Sequence, residues 1–270
     1  PARPNNIPVK PQKRLVYILS ILFGLMLPVL FVLLKDLLND TVQDENDLKK
    51  ATDAPLLGGI ALSRSGKNIV VDSKSRSAVA EMFRLLRTNI QFLLPPGIEK
   101  GQTLLVTSSA SGDGKTFVTA NLGVAIAISG KKTVLIELDL RKPKLARYLN
   151  AASNEKGLTN YLLGQASMSE IIHASALHEN LFHIPCGPVP PNPAELLLYD
   201  ALDRLLEKLK AEFDFILIDT SPVGLVADAL LLNRFSSASL YVVRQGQTKK
   251  AMLKTLGDIH QEKKLHNIAV

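Results

Sequence analysis

From Leu104 to Ile128 the chain reads LLVTSSASGDGKTFVTANLGVAIAI: an apolar run, two glycines around an aspartate, a Lys-Thr pair and a second apolar run. No other stretch limits the fold so tightly. TLLVTS suits a strand, and the residues from Lys115 suit a helix, so the glycines fall at a strand-to-helix turn. The first N–H groups of a helix lack intrahelical partners and carry the positive end of its dipole. Glycines supply the dihedrals that turn those groups inward and let an anion approach closely. The pattern predicts a phosphate cradle made of Ser111, Gly112, Asp113, Gly114, Lys115, Thr116 and Phe117. Lys115 would contact β and γ phosphates, and the Thr116 hydroxyl would ligate Mg²⁺. The first glycine usual in this motif is replaced by Ser109. An ordinary polar turn is the competing reading.

Two acidic motifs fit the same site. In VLIELDLRKPKL, alternation along a strand puts Glu137 and Asp139 on one side of its carboxyl end. In FDFILIDTSP, Asp219 closes an apolar strand. Mg²⁺ takes oxygen ligands and keeps several waters, so Asp139 and Asp219 join Thr116 as candidate metal residues. Any one of these carboxylates could instead cap a helix; three aimed at one phosphate loop argue for chemistry.

Around these motifs strands and helices alternate. Strands are expected at TLLVTS, KTVLIEL, LFHIPC, FDFILID and SLYVVR, and NIAV reads as another cut short. Helices are expected from Lys115, near Leu158 to Gly164 and Ser169 to His173, from Ala194 to Ala211, near Ala227 to Phe235, and from Lys249 to Lys264. The strands are nearly continuous apolar runs, as happens when helices cover both sheet faces. The fold class is therefore α/β, a doubly wound, mostly parallel sheet. Ahead of it, VAEMFRLLRTNIQFL aligns Val79, Phe83, Leu86, Ile90 and Leu93 on one helical face, with Glu81, Arg84 and Arg87 opposite. On periodicity alone that charged side is a solvated face.

The uncharged run Leu15 to Leu34 is long enough, at about 1.5 Å per residue, to cross a bilayer about 30 Å thick. Residues 15–38 are read as a transmembrane helix, in which Gly24 and Pro28 are tolerable. Residues 1–14 form a proline-rich connector, 39–76 a juxtamembrane linker and 77–270 the phosphate-loop domain. Arg3, Lys10, Lys13 and Arg14 precede the span and Lys35 follows it, which favours a cytoplasmic amino terminus. The need of the following domain for cytoplasmic ATP overrides that count. A first residue of proline suggests that upstream sequence is missing. The net charge of +7 lies on scattered helices and loops, which favours anionic lipid over nucleic acid. A single cysteine, Cys186, forms no internal disulfide, so a reducing compartment is expected.

Taken in order, TDAPLLGGI, EMFRLLRTNI, SASGDGKT, ELDLRKP, CGPVPPNPAELL, FILIDTSPVGLVADA and YVVRQGQT resemble the bacterial tyrosine kinases of the polysaccharide co-polymerase family, relatives of the partition and cell-division ATPases. The resemblance spans nearly the whole chain. It implies an Mg-ATP-dependent autokinase, bound to the bacterial inner membrane with its kinase domain cytoplasmic, acting in capsular or extracellular polysaccharide export. Lys115, Glu137, Asp139 and Asp219 would be catalytic, and Glu137 stands where that family often has an aspartate that activates the tyrosine hydroxyl. Glu81, Arg84 and Arg87 match a Glu-x-x-Arg-x-x-Arg pattern that resembles a ring interface between subunits. Implied partners are further copies of the chain, a periplasmic chain-length-determinant domain, the export machinery and a protein-tyrosine phosphatase. The acceptor tyrosines would lie in a tail beyond Val270.

A partition-type ATPase switch and a nucleotide-sensing scaffold remain as alternatives; the switch relatives usually carry a second lysine early in the phosphate loop, and none lies between Gly101 and Gly114. RKPK, Arg141 to Lys144, suits an acidic tail or a solvated loop. Arg244 and Asn192 would lie near the nucleotide or cap local structure.

Overall fold

The computed structural model describes residues 13–63, 66–97, 100–151 and 156–270, in two compact units, Pro1–Thr41 and Val42–Val270. The proline-rich connector falls almost wholly outside the described residues. In the first unit, helix α1 spans Lys13–Leu37 with Pro28 inside it. Its large apolar side chains are exposed all around, from Leu15 to Leu34. A helix apolar on every face suits the core of a large protein or a membrane. Its segment Arg14–Lys35 is long and apolar enough to cross a membrane.

The second unit begins earlier than composition suggests. From Val42 onward the segment read as a linker is folded onto the α/β body. Helix α2, Glu45–Ala51, is capped by Asp44, whose side chain accepts the Asp47 N–H at 3.0 Å. Asp47 in turn pairs with Lys250 at 3.0 Å. Further on, Asn121 accepts the Val70 N–H at 2.7 Å and donates to Asn68 O at 2.9 Å. Val42, Leu57 and Val71 are buried. Polar composition described only the outer face of this segment; these apolar residues, too sparse to show periodicity, seat it.

Helix α3, Ala78–Ile90, starts at Ser77, which accepts the Ala80 N–H. It buries Ala80, Phe83, Leu86 and Ile90, while Val79 and Leu93 are half-buried. Next come β1 (Gln102–Ser108), α4 (Lys115–Ile128), β2 (Thr133–Glu137) and α5 (Leu145–Tyr148). Then follow α6 (Leu158–Leu162), α7 (Met168–Ile171), β3 (His173–Ala174) and β4 (Leu181–Ile184). The helix expected from Ala194 is two, α8 (Pro193–Leu196) and α9 (Asp200–Glu212). Leu202, Leu205, Leu206 and Leu209 form the buried stripe of α9, and a continuous helix would extend it to Leu198 and Tyr199. Those two are exposed and Leu196 and Leu197 are buried instead, so the chain breaks to change phase. The remainder is β5 (Phe215–Asp219), α10 (Asp228–Leu232) with a 3₁₀ turn after it, β6 (Ala238–Val242), α11 (Lys250–Gln261) and β7 (Ile268–Ala269).

The strands form one sheet in the order β3-β4-β2-β5-β1-β6-β7, parallel except for β3 against β4. Alternate residues feed separate cores on its two faces. Leu105, Val134, Ile136, Ile216 and Ile218 point into one, and Leu104, Val106, Leu135, Leu217 and Leu240 into the other. Helix α4 lies in the second core against α3 and is buried from Val118 through Ala127. The edge strand β7 is covered by the chain itself: Val270 N–H reaches Pro55 O at 2.9 Å, and Leu57 N–H reaches Val270 O at 2.8 Å.

Candidate active site

In an open parallel sheet the carboxyl ends of the central strands carry the ligand site. β1, β2 and β5 end here at Ser108, Glu137 and Asp219, and β2 and β5 pair in a register that sets Glu137 beside Asp219. The loop after β1 turns through Gly112, φ +97°, and Gly114, φ +103°, values that only glycine adopts without strain. Gly114 caps α4, so the free N–H groups of that helix face the turn. A second close approach backs the loop: a Cβ on Gly224 would lie 2.3 Å from Ser109 O.

Lys115 is buried, 6% exposed, at the start of α4. Its neighbour Thr116 donates its hydroxyl to Asp219 Oδ2 at 2.6 Å, joining phosphate loop to strand end. Asp219 is fully buried; burial pushes its carboxyl up to about 7, opposed by the Thr116 hydrogen bond and by Lys115. Its other oxygen, Oδ1, has no hydrogen-bond partner among the described residues. A buried carboxylate oxygen left over is costly unless something polar meets it, and a hydrated cation beside the Thr116 hydroxyl would do so. No cluster of three or more His, Cys, Asp or Glu side chains suited to a metal occurs among the described residues.

Asp139, two residues past β2, accepts the Ser221 hydroxyl at 3.0 Å and the Lys142 N–H at 3.1 Å. It is half-exposed and lines a cleft of about 1140 Å³ together with the loop from Ser111 to Thr116, Lys142, Lys144 and residues of the 58–68 segment. Phe117 also borders the cleft, but its ring packs edge-on against Phe83, centroids 5.7 Å apart.

Glu137 lies beneath the cleft surface. It is buried, 1% exposed, and its carboxylate accepts three backbone N–H groups: Lys144, Leu145 at 2.5 Å and Cys186 at 3.3 Å. Burial raises its pKa against the pull of those bonds. A carboxylate so occupied holds the 144–145 turn and the end of β4 together and does not border the cleft, whereas Asp139 does. The shared strand side of Glu137 and Asp139 is not a shared exposure, because the chain leaves the sheet between them.

On α3, Glu81 pairs with Arg84 near the surface. Arg84 also donates to Ser75 O at 2.7 Å, and Arg87 donates to Ala125 O at 3.0 Å. Leu85, 60% exposed, and Phe92, 85% exposed, stand on or just beyond the same helix. Of the weaker candidates, Asn192, just before α8, bonds Glu195 in that helix, and Arg141 meets the buried Asp228 at 3.1 Å. Arg244 reaches the loop itself, at Gly112 O. Sequence reading passed over Ser221, Asp228 and Thr248; lone hydroxyls and acids with distant partners leave no local signal.

A family described as an AAA domain matches residues 101–264. The tyrosine-protein kinase YwqD of Bacillus subtilis (strain 168) is 37% identical over 190 residues, which are 70% of this chain and 78% of that protein. The chain belongs to the bacterial tyrosine-kinase family. The solved kinase domain of the Escherichia coli tyrosine kinase ETK superposes with a TM-score of 0.73 at 29% identity, over 82% of this chain and 89% of that domain. The tyrosine-protein kinase wzc of Salmonella typhi is 31% identical over 253 residues, 87% of this chain. This member of the family spans only 34% of the wzc chain.

Proposed function

We propose that the Val42–Val270 unit is an ATP-dependent protein-tyrosine autokinase. The observation that carries this reading is the 2.6 Å bond between Thr116 and Asp219, whose second oxygen has no partner among the described residues, beside a glycine turn in a chain of this family. Phosphoryl transfer asks a protein mainly for positioning and for stabilisation of charge on the γ oxygens. The N–H groups of Gly112 to Thr116 and the Lys115 ammonium bind the β and γ phosphates. Thr116 and Asp219, with Asp139 nearby, would hold Mg²⁺, and the ion would supply positive charge that neutralises the phosphate oxygens. Asp139, on the cleft wall, takes the proton of the incoming tyrosine hydroxyl and is oriented for this by Ser221.

The wider reading follows the family. Helix α1 anchors the chain in the inner membrane, with the kinase unit cytoplasmic and anionic lipid at its surface. Copies assemble into a ring through Glu81, Arg84 and Arg87. The kinase works with a periplasmic chain-length-determinant domain, the capsular or extracellular polysaccharide export machinery and a protein-tyrosine phosphatase. Support for the context comes from relatives such as wzc and from the composition of α1.

The test is incubation of the chain with labelled ATP, Mg²⁺ and a tyrosine copolymer as acceptor. Wild type should place label on tyrosine, and Lys115→Met should reduce it at least a hundredfold, as loss of a charge-stabilising donor does. Tight nucleotide binding with no phosphotyrosine would favour an ATPase switch or a nucleotide-sensing scaffold.

A further inference from the structure

Asp113 sits inside the phosphate loop between the two positive-φ glycines, a place where a free carboxylate would repel a triphosphate. Its side chain is instead turned back and 3% exposed. Oδ2 accepts the Ala110 N–H at 2.8 Å, and Oδ1 accepts the Thr248 hydroxyl at 3.0 Å. The hydroxyl is the donor in the second bond because a carboxylate only accepts, and Thr248 Oγ1 at the same time accepts the Arg244 N–H at 2.9 Å. The same 244–248 turn sets Arg244 Nη1 on Gly112 O at 3.0 Å.

That turn also grips the start of the folded unit. Gly246 N–H donates to Val42 O at 2.8 Å, and Val42 N–H donates to Thr248 O at 2.8 Å. Gln245 Nε2 adds a bond to Gln43 O at 2.5 Å. Val42 is 3% exposed, and Thr248 1%. A continuous series of bonds thus runs from Val42 through Thr248 and Asp113 to Ala110 in the phosphate loop.

We propose that Asp113 and Thr248 are positioning residues that clasp the phosphate loop in its binding shape, and that the 42–43 segment keeps the clasp closed. Nucleotide affinity is then set by whether Val42 is seated. This rests on nucleotide binding at the loop, as proposed above; neither residue touches the reacting atoms. Without the Thr248 hydroxyl, the Asp113 carboxylate loses a partner and is free to swing toward the phosphates.

The test uses the full chain in detergent micelles, with two readouts: affinity for a fluorescent ADP analogue with Mg²⁺, and amide hydrogen exchange of the phosphate loop without nucleotide. Thr248→Val should weaken binding roughly tenfold, the scale of one hydrogen bond to a charged group, and speed exchange across 110–116. Thr248→Ser, which keeps the hydroxyl, should restore both. Val42→Pro, which removes the N–H bonded to Thr248 O, should speed the same exchange and add little to Thr248→Val. If Thr248→Val does not fold, Thr248→Ala carries the same test, since it too lacks the hydroxyl bonded to Asp113. Unchanged affinity and exchange in Thr248→Val, or failure of serine to restore them, would overturn the clasp. Unaltered loop exchange in Val42→Pro would overturn the role of the 42–43 segment. A wild type that binds no nucleotide would count against the proposed function, while exchange in the nucleotide-free chain would still decide the clasp.

Discussion

Asp219 offers a quantitative test of the site. Its carboxyl stands at about 7 in the folded chain because burial disfavours its charge, against 3.8 for an ordinary aspartate. The folded chain therefore keeps a proton that the unfolded chain has released at any pH between those values. Stability from this group is full below about pH 4, falls as pH rises and is gone above about pH 7. Three units at about 1.36 kcal/mol each give roughly 4 kcal/mol over the whole window, of which about 2 to 3 kcal/mol falls between pH 5 and pH 8. Asp219→Asn keeps an acceptor for Thr116 and removes the titration. The assay is urea unfolding of the Val42–Val270 unit at pH 5, 6, 7 and 8 in magnesium-free buffer. The stability difference, wild type minus variant, should shrink by about 2 to 3 kcal/mol from the acid to the alkaline end. Parallel curves for the two proteins would refute the reasoning, since the carboxyl would then titrate as though exposed.

Glu137→Gln should destabilise the unit by about 1 to 3 kcal/mol in urea, because its amide nitrogen cannot accept from a backbone N–H; full stability with activity lost would return the base role to Glu137. Gly224→Ala sets a methyl 2.3 Å from Ser109 O and should cost about 1 to 3 kcal/mol with weaker nucleotide binding; a wild-type melting temperature would mean the loop has slack. Arg84→Ala with Arg87→Ala should lower the mass measured by light scattering; an unchanged mass would confine these arginines to the Ser75 and Ala125 carbonyls they hold within the chain.

The parts legible in the sequence are those whose physics is local. The glycine turn, the Lys-Thr pair and the apolar strands need only neighbouring residues, and the doubly wound sheet follows from their alternation. Helix α2 escaped notice because it has no buried residue of its own, and its anchors, Asp44 and the Asp47–Lys250 pair, are a cap and a contact across the fold. Thr248 lies 135 residues from Asp113, so no spacing rule could join them. Glu137 shows the limit of period-two reasoning: it names the face of a strand, while the path of the chain beyond the strand decides which carboxylate reaches solvent.

Helix α4 is wedged between α3 and the sheet, and it continues directly from the glycine turn that faces the cleft. A rod buried from Val118 through Ala127 cannot act as the hinged jaw of a clamp. The floor of the cleft is set by the packing of α4, so a guest there meets a surface built before it arrives.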